Sequence, residues 1–178
     1  MPARWAFPGS GGRAPLQTPT VVPIMKRMSN PVHIVCPYCH GTNRVLRERL
    51  GEVARCGHCK QALFAGHPVE LDAASFDKHT GASGIPVVVD FWAPWCGPCR
   101  AMAPQFERAA AELEPQVRLA KLNTENEQAI AARYNIRSIP TMVMFSQGRE
   151  IARQSGAMDA SALSRWVRGA LSASAAGN

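Results

Sequence analysis

Four of the six cysteines fall as Cys36-Pro-Tyr-Cys39 and Cys56-Gly-His-Cys59, two C-x2-C pairs with sixteen residues between them. Each pair can place two sulfurs on one tight turn, and the spacer is long enough for a short hairpin that brings the turns together. Structural zinc takes four soft ligands at tetrahedral corners, and this spacing falls in the zinc-ribbon range. Two disulfides or four free thiols are the competing readings. His33, His40, His58 and His67 are read as surface or outer residues, because four cysteines already complete the coordination sphere. The segment that carries the pairs, residues 32–67, is poor in large apolar side chains. Folds below about 40 residues generally need a metal or disulfides to hold them. A small ribbon with one structural zinc ion is therefore expected.

Charge separates the rest of the chain. Residues 1–31 carry Arg4, Arg13, Lys26 and Arg27 with no acid, and residues 32–69 carry five bases against two acids. Residues 70–178 carry eleven of each. The formal +7 thus belongs entirely to the first 69 residues, which argues against a basic groove in the larger part. Arg44, Arg47, Arg49, Arg55, Lys60 and Tyr38 could touch nucleic acid, but five charges without an aromatic array are weak support, and a solvated or partner-docking face is preferred. Residues 1–31 also hold six of the 14 prolines and read as a disordered tail. Met25 and Met28 are candidate alternative starts. No stretch reaches the roughly 18 apolar residues of a membrane span.

Residues 68–172 alternate strand and helix signals, with residues 173–178 read as a frayed tail beginning near Ser172. Pro86–Trp92 is a buried, β-rich run of the kind found inside parallel sheets. Residues 98–113 read as a helix with Pro104 kinking it, and Val117–Asn123 as a strand. Thr124 and Glu127 suggest a capping box for a helix to Tyr134, and Asn135 suits a left-handed cap. Thr141–Phe145 and Glu150–Gln154 flank a hairpin turn at Ser146-Gln147-Gly148. Leu163, Trp166, Val167, Ala170 and Leu171 keep helical spacing behind Asp159. The order βα, βα, βα, ββα predicts an α/β fold: a mixed sheet flanked by helices, with an antiparallel edge.

The remaining cysteines stand in Trp95-Cys96-Gly-Pro-Cys99, between the buried strand and the next helix. A thiolate is the nucleophile of disulfide exchange, and a helix N-terminus favours it over the thiol. Cys96 sits at that terminus, and Cys99 lies one turn deeper within reach of its sulfur. Cys96 would attack a disulfide and Cys99 would resolve the mixed disulfide. Gly97 admits a close substrate backbone, and Pro98 suits a first helical turn. A second zinc knuckle is disfavoured because no further cysteine pair remains to complete it.

Val89-Asp-Phe-Trp-Ala-Pro-Trp-Cys-Gly-Pro-Cys-Arg100, then Ile136-Arg-Ser-Ile-Pro-Thr141, then Gly156-Ala157, closely resemble the thioredoxin family over about residues 68–172. The four-cysteine module ahead of them is similar to that of the zinc-containing thioredoxin 2 subtype. The resemblance implies the thioredoxin fold behind a zinc ribbon. It implies that Asp90 helps move the proton of Cys99, with Lys121 near that carboxylate. It matches Pro140 to a cis-proline facing the cysteines, which would leave the Ile139 backbone to pair with substrate, and it places Gly156 and Ala157 in the same groove. Asn135 stands where glycine is frequent in the family, and both residues accept a left-handed cap.

The expected activity is protein-disulfide reduction through a redox-active Cys96–Cys99 disulfide, with no bound organic cofactor. The expected partners are disulfide-containing proteins and a thioredoxin reductase that returns electrons from NADPH. A monomer in the cytoplasm, away from membranes, is expected, since free zinc-binding thiols suit a reducing compartment. The alternative reading is a zinc-dependent redox sensor, or an adaptor that docks a partner through the ribbon.

Overall fold

The structure, a computed structural model, describes residues 30–176. The expected N-terminal tail and the candidate starts Met25 and Met28 lie outside the described residues, except Asn30 and Pro31. Pro31 already opens the first strand.

The cysteine module begins with an antiparallel pair, β1 (Pro31–Val35) and β2 (Thr42–Leu46). The turn between them is the first knuckle, Cys36–Cys39. The hairpin therefore encloses a knuckle and does not lie in the spacer between them. The spacer completes β2 and then makes one 3-10 turn at Arg47–Arg49. The second knuckle is flanked by a single bridge between Arg55 and Ala62.

A five-stranded sheet follows, in the order β3-β5-β4-β6-β7. Its strands are β3 (Val69–Leu71), β4 (Val87–Trp92), β5 (Arg118–Asn123), β6 (Thr141–Ser146) and β7 (Arg149–Ser155). The first three of these run parallel, and β6 and β7 are antiparallel to their neighbours. Helices α1 (Phe76–Gly81), α2 (Gly97–Leu113), α3 (Gln128–Arg133) and α4 (Ala160–Ala176) complete the expected order. Successive strand residues face opposite sides. Val88, Leu119, Met142 and Met144 meet Met102 and Phe106 of α2 and Leu163 and Val167 of α4. Val87, Val89, Phe91, Leu122 and Phe145 meet Phe76 of α1 and Ile130 of α3.

Two local expectations need correction. Thr124 and Glu127 form no capping box. The Thr124 hydroxyl donates to the Trp92 carbonyl at 3.1 Å, and α3 starts only at Gln128, with no side chain capping it. Helix α4 does not fray at Ser172. It runs to Ala176, extended by alanines of high helix propensity, with the Ser172 hydroxyl bonded to the Arg168 carbonyl at 3.0 Å. Helix α2 runs from Gly97 to Leu113 with Pro104 inside it, as the sequence predicts. The hairpin expectation holds, as Gln147 and Gly148 have φ of 50° and 77° and make a two-residue turn of the left-handed kind.

The ribbon is fastened to the larger unit. Its apolar centre of Val32, Ile34, Cys36, Cys56 and Leu63 is completed by Ile85, from the approach to β4. Arg118, buried at the start of β5, donates from Nη1 to the Val35 carbonyl at 2.6 Å and from Nη2 to the Leu63 carbonyl. Its Nε binds Glu114 Oε1 at 3.0 Å, and Glu114 Oε2 accepts the Gly66 N–H at 2.7 Å. Gly84 donates its N–H to the His33 carbonyl at 2.7 Å, and a Cβ there would lie 2.7 Å from Val32 Cγ1. Arg118→Leu is expected to lower stability by about 3–5 kcal/mol, because it leaves the buried Glu114 carboxylate without its cation and the Val35 and Leu63 carbonyls without this donor. Urea denaturation measures it, and a loss below about 0.5 kcal/mol would show that the latch carries no weight.

Candidate functional site: a redox disulfide and a tetrathiolate cluster

Strand β4 ends in apolar sequence, and the chain turns through Ala93-Pro94-Trp95 into α2. Cys96 is the N-cap of that seventeen-residue helix, and its sulfur accepts the Cys99 N–H at 3.2 Å. A polar acceptor is favoured there because the first-turn N–H groups have no helical partner. Cys96 and Cys99 are disulfide-bonded. Both are buried against Ala93, with Trp92 and Ile139 packed on them. Gly97 and Pro98 are exposed on the first turn, and a Cβ on Gly97 would meet nothing within 4 Å.

Around the disulfide, Trp95 is 67% exposed and its Nε1 donates to Glu125 at 3.0 Å. It edges a depression of about 420 Å³, lined also by Thr124, Ala131, Ile136, Arg137, Ser138 and Ile139. The Ile139–Pro140 bond is cis. Gly156, at φ 95°, gives its N–H to the Pro140 carbonyl at 2.9 Å, and Ala157 is exposed beside it. These residues therefore gather at one end of the sheet.

Asp90 lies in the middle of β4, the strand that leads into the disulfide, on the sheet face that packs on α2, and is 2% exposed. Its Oδ1 has no hydrogen-bond partner. Desolvation pushes its carboxyl up to about 7, Lys121 draws it down, and Glu70 raises it. Lys121 is the β5 register partner of Asp90, and its ammonium stands 4.4 Å above the Trp92 ring.

The four other cysteines converge far from this end. Sγ atoms of Cys36 and Cys59 are 3.6 Å apart, as are those of Cys39 and Cys56, and all four lie within 4.8 Å of one another. Sulfurs 2.3 Å from a tetrahedral zinc are about 3.8 Å apart, so the cluster fits that ion. The backbone repeats in the two knuckles. His40 and Lys60 follow the second cysteine of each with φ of 54° and 66°, and donate to the carbonyls of Cys36 and Cys56. Tyr38 and His58 turn their N–H groups to the sulfurs of Cys36 and Cys56 at 3.5 and 3.4 Å. Such donors favour thiolates over thiols. None of the four is paired in a disulfide. Zinc here would crosslink the two knuckles and supply no chemistry to the distant disulfide. Purified protein is expected to carry one zinc per chain, lost on Cys36→Ala, by metal analysis.

Of the histidines, His40 Nδ1 lies 3.0 Å from Nε2 of the fully buried His79 on α1, a contact across the seam. Burial pulls His79 down to about 3, so it is neutral at physiological pH. His67 pairs with the exposed Glu107. Neither ring belongs to the cluster. The sequence reading missed Arg118, His79, Glu125 and Glu70. Each is an ordinary polar residue until the fold brings its partner, and only the isolated Arg118 in an apolar strand offered a signal.

A disulfide at a helix start over a mixed sheet, with a buried carboxyl in the strand before it, defines a dithiol–disulfide exchange protein. The comparisons agree. The family model described as Thioredoxin matches residues 67–169, and the zinc-ribbon model described as Thioredoxin 2, N-terminal, matches residues 35–61. Thioredoxin C-3 of Corynebacterium nephridii is 42% identical over 134 residues, spanning 75% of this chain and 92% of that protein. The thioredoxin of Pyropia yezoensis is 44% identical over 94 residues, 53% of this chain and 88% of its own. The solved structure of a mutant thioredoxin from Halobacterium salinarum NRC-1 is 30% identical, with a TM-score of 0.53, covering 58% of this chain and 90% of that one. The chain belongs to the thioredoxin family. It is a protein-disulfide oxidoreductase that works through its Cys96–Cys99 pair, behind a structural zinc ribbon. No helix among the described residues is long and apolar enough to cross a membrane.

Proposed function

We propose that this chain reduces disulfides of other proteins with Cys96 as nucleophile and Cys99 as resolving thiol. The placement of Cys96 at the N-cap of α2, its sulfur accepting the Cys99 N–H, carries this reading. In the reduced state that N–H and the helix terminus favour the Cys96 thiolate. The thiolate attacks one substrate sulfur, a mixed disulfide forms, and the other substrate sulfur leaves as a thiolate. Cys99 then gives its thiol proton to the Asp90 carboxylate and attacks Cys96 Sγ. The second substrate sulfur departs and takes up a proton, and the Cys96–Cys99 disulfide remains. Two electrons have passed to the substrate. A carboxyl titrating near 7 suits a group that accepts and returns one proton at neutral pH.

The groove roles follow. Trp95, Gly97, Pro98 and Ile139 would border the bound segment, with Pro140, Gly156 and Ala157 on the far rim. The Ile139 backbone would pair with an extended stretch of substrate, a reading supported by its packing on the cysteines. Lys121 would hold charge close to Asp90. A thioredoxin reductase drawing on NADPH is the proposed electron source, and the cytoplasm the proposed compartment. The chain is proposed to act as a monomer, since both cysteine sites are complete within it. The proposed division keeps residues 32–67 as the ribbon and 68–172 as the redox unit.

Insulin reduction tests the reading. The purified chain with thioredoxin reductase and NADPH is expected to reduce insulin disulfides catalytically. NADPH oxidation that stays at the reductase-only rate would overturn it.

A further inference from the structure

Asp90, Lys121 and Glu70 form one row across three adjacent strands. Glu70 on β3 is the register partner of Lys121 on β5, which is the register partner of Asp90 on β4. Register partners point to the same face, so the three side chains lie side by side. Glu70 Oε1 lies 3.2 Å from Lys121 Nζ, which also stands 4.4 Å over the Trp92 ring. The acid is open to solvent at 65% exposure, whereas the lysine is at 20%. The ammonium is thus held between a carboxylate on its outer side and an aromatic face, beside an unpartnered buried carboxyl.

We propose that Glu70 is a positioning residue for the dithiol reaction: it holds the Lys121 ammonium against Trp92 and sets how much of that charge reaches Asp90. A lysine stem is long and flexible, and an unpaired ammonium beside a buried carboxylate would turn toward it. Glu70 competes for the same ammonium and adds a negative charge of its own. Both effects oppose ionisation of Asp90, in line with the raising influence of Glu70 on that carboxyl. The remaining neighbours leave these two as the charges that matter. From β6 the register partner of Asp90 is the uncharged Met142, and the charges that act on the carboxyl are those of Lys121 and Glu70. Glu70 therefore helps keep a proton on Asp90 up to near-neutral pH, and so helps set the pH at which Cys99 can give up its own.

This inference rests on the proton-acceptor reading of Asp90, and the experiment separates the two. The side-chain carboxyl carbon of Asp90 is titrated by NMR in the oxidised protein, and insulin reduction is followed against pH in the same variants. Glu70→Gln is expected to lower the Asp90 midpoint by about half a pH unit, with the rate profile moving to lower pH by the same amount. Glu70→Asp retains the charge and is expected to return the midpoint most of the way. A midpoint that stays put or rises in Glu70→Gln, or one that Glu70→Asp fails to restore, would overturn the inference. If Asp90→Asn kept the full rate and the pH profile of the parent, the proton-acceptor reading would fall, while the effect of Glu70 on the Asp90 midpoint would stand.

Discussion

Cys96→Ser is expected to abolish catalytic turnover, lowering reductase-coupled insulin reduction by at least about a thousandfold. A serine hydroxyl is scarcely ionised at neutral pH, and the proposed proton acceptor, Asp90, serves Cys99 and not the residue at position 96. The helix start can favour a thiolate because an ordinary cysteine pKa is already near 8.5, and a hydroxyl lies far beyond such help. Cys99→Ser is expected to fail differently. Cys96 still attacks, the second step is lost, and the substrate stays linked to the chain. A non-reducing gel distinguishes the two, since only Cys99→Ser should accumulate a band that dithiothreitol removes. Turnover surviving in Cys96→Ser would assign the nucleophile wrongly.

Asp90→Asn is expected to make the oxidised protein more stable at pH 8, and to slow the resolving step. The folded carboxyl titrates near 7, raised by burial from an ordinary 3.8. Between about pH 4 and 7 the folded chain keeps a proton that the unfolded chain has lost. Stability therefore falls as pH rises through that window, by about 1.4 kcal/mol per unit, and levels off above it. The whole effect is about 4 kcal/mol. Asparagine cannot ionise, so the variant escapes it. Urea denaturation should show little difference between variant and parent near pH 4 and a gap that widens to its full size by pH 8. A gap that does not grow with pH would mean that Asp90 is not buried in the charged state. Resolution should slow by about a hundredfold, the scale of losing a positioned proton acceptor.

Much of this was legible in the sequence for local reasons. Valines alternating to both faces of a central strand, a Trp-Cys-Gly-Pro-Cys turn opening a helix, and paired C-x2-C knuckles are each decided within a few residues. The hairpin at Gln147-Gly148 is of the same kind. The opening βα pair was not located by residue, because β3 has three residues and α1 six, too few to display a period. The capping box failed through competition. Thr124 had a carbonyl of β4 within reach once the sheet formed, and the hydroxyl went there. The seam between ribbon and sheet was invisible for the opposite reason, since Arg118 meets the carbonyls of Val35 and Leu63 from positions 83 and 55 residues away. Glu70 and Lys121 likewise become neighbours only through strand order.

The Arg118–Glu114 latch also fixes where the two sulfur chemistries lie. Glu114 follows the last turn of α2, and Cys96 precedes its first. Seventeen helical residues span about 25 Å. Thiolate attack on a disulfide requires sulfur to touch sulfur, so a latched ribbon insulates its four thiolates from the Cys96–Cys99 bond of the same molecule. Six cysteines can share one chain without scrambling because a helix serves as a spacer between them, and whatever unfastens the latch removes that isolation.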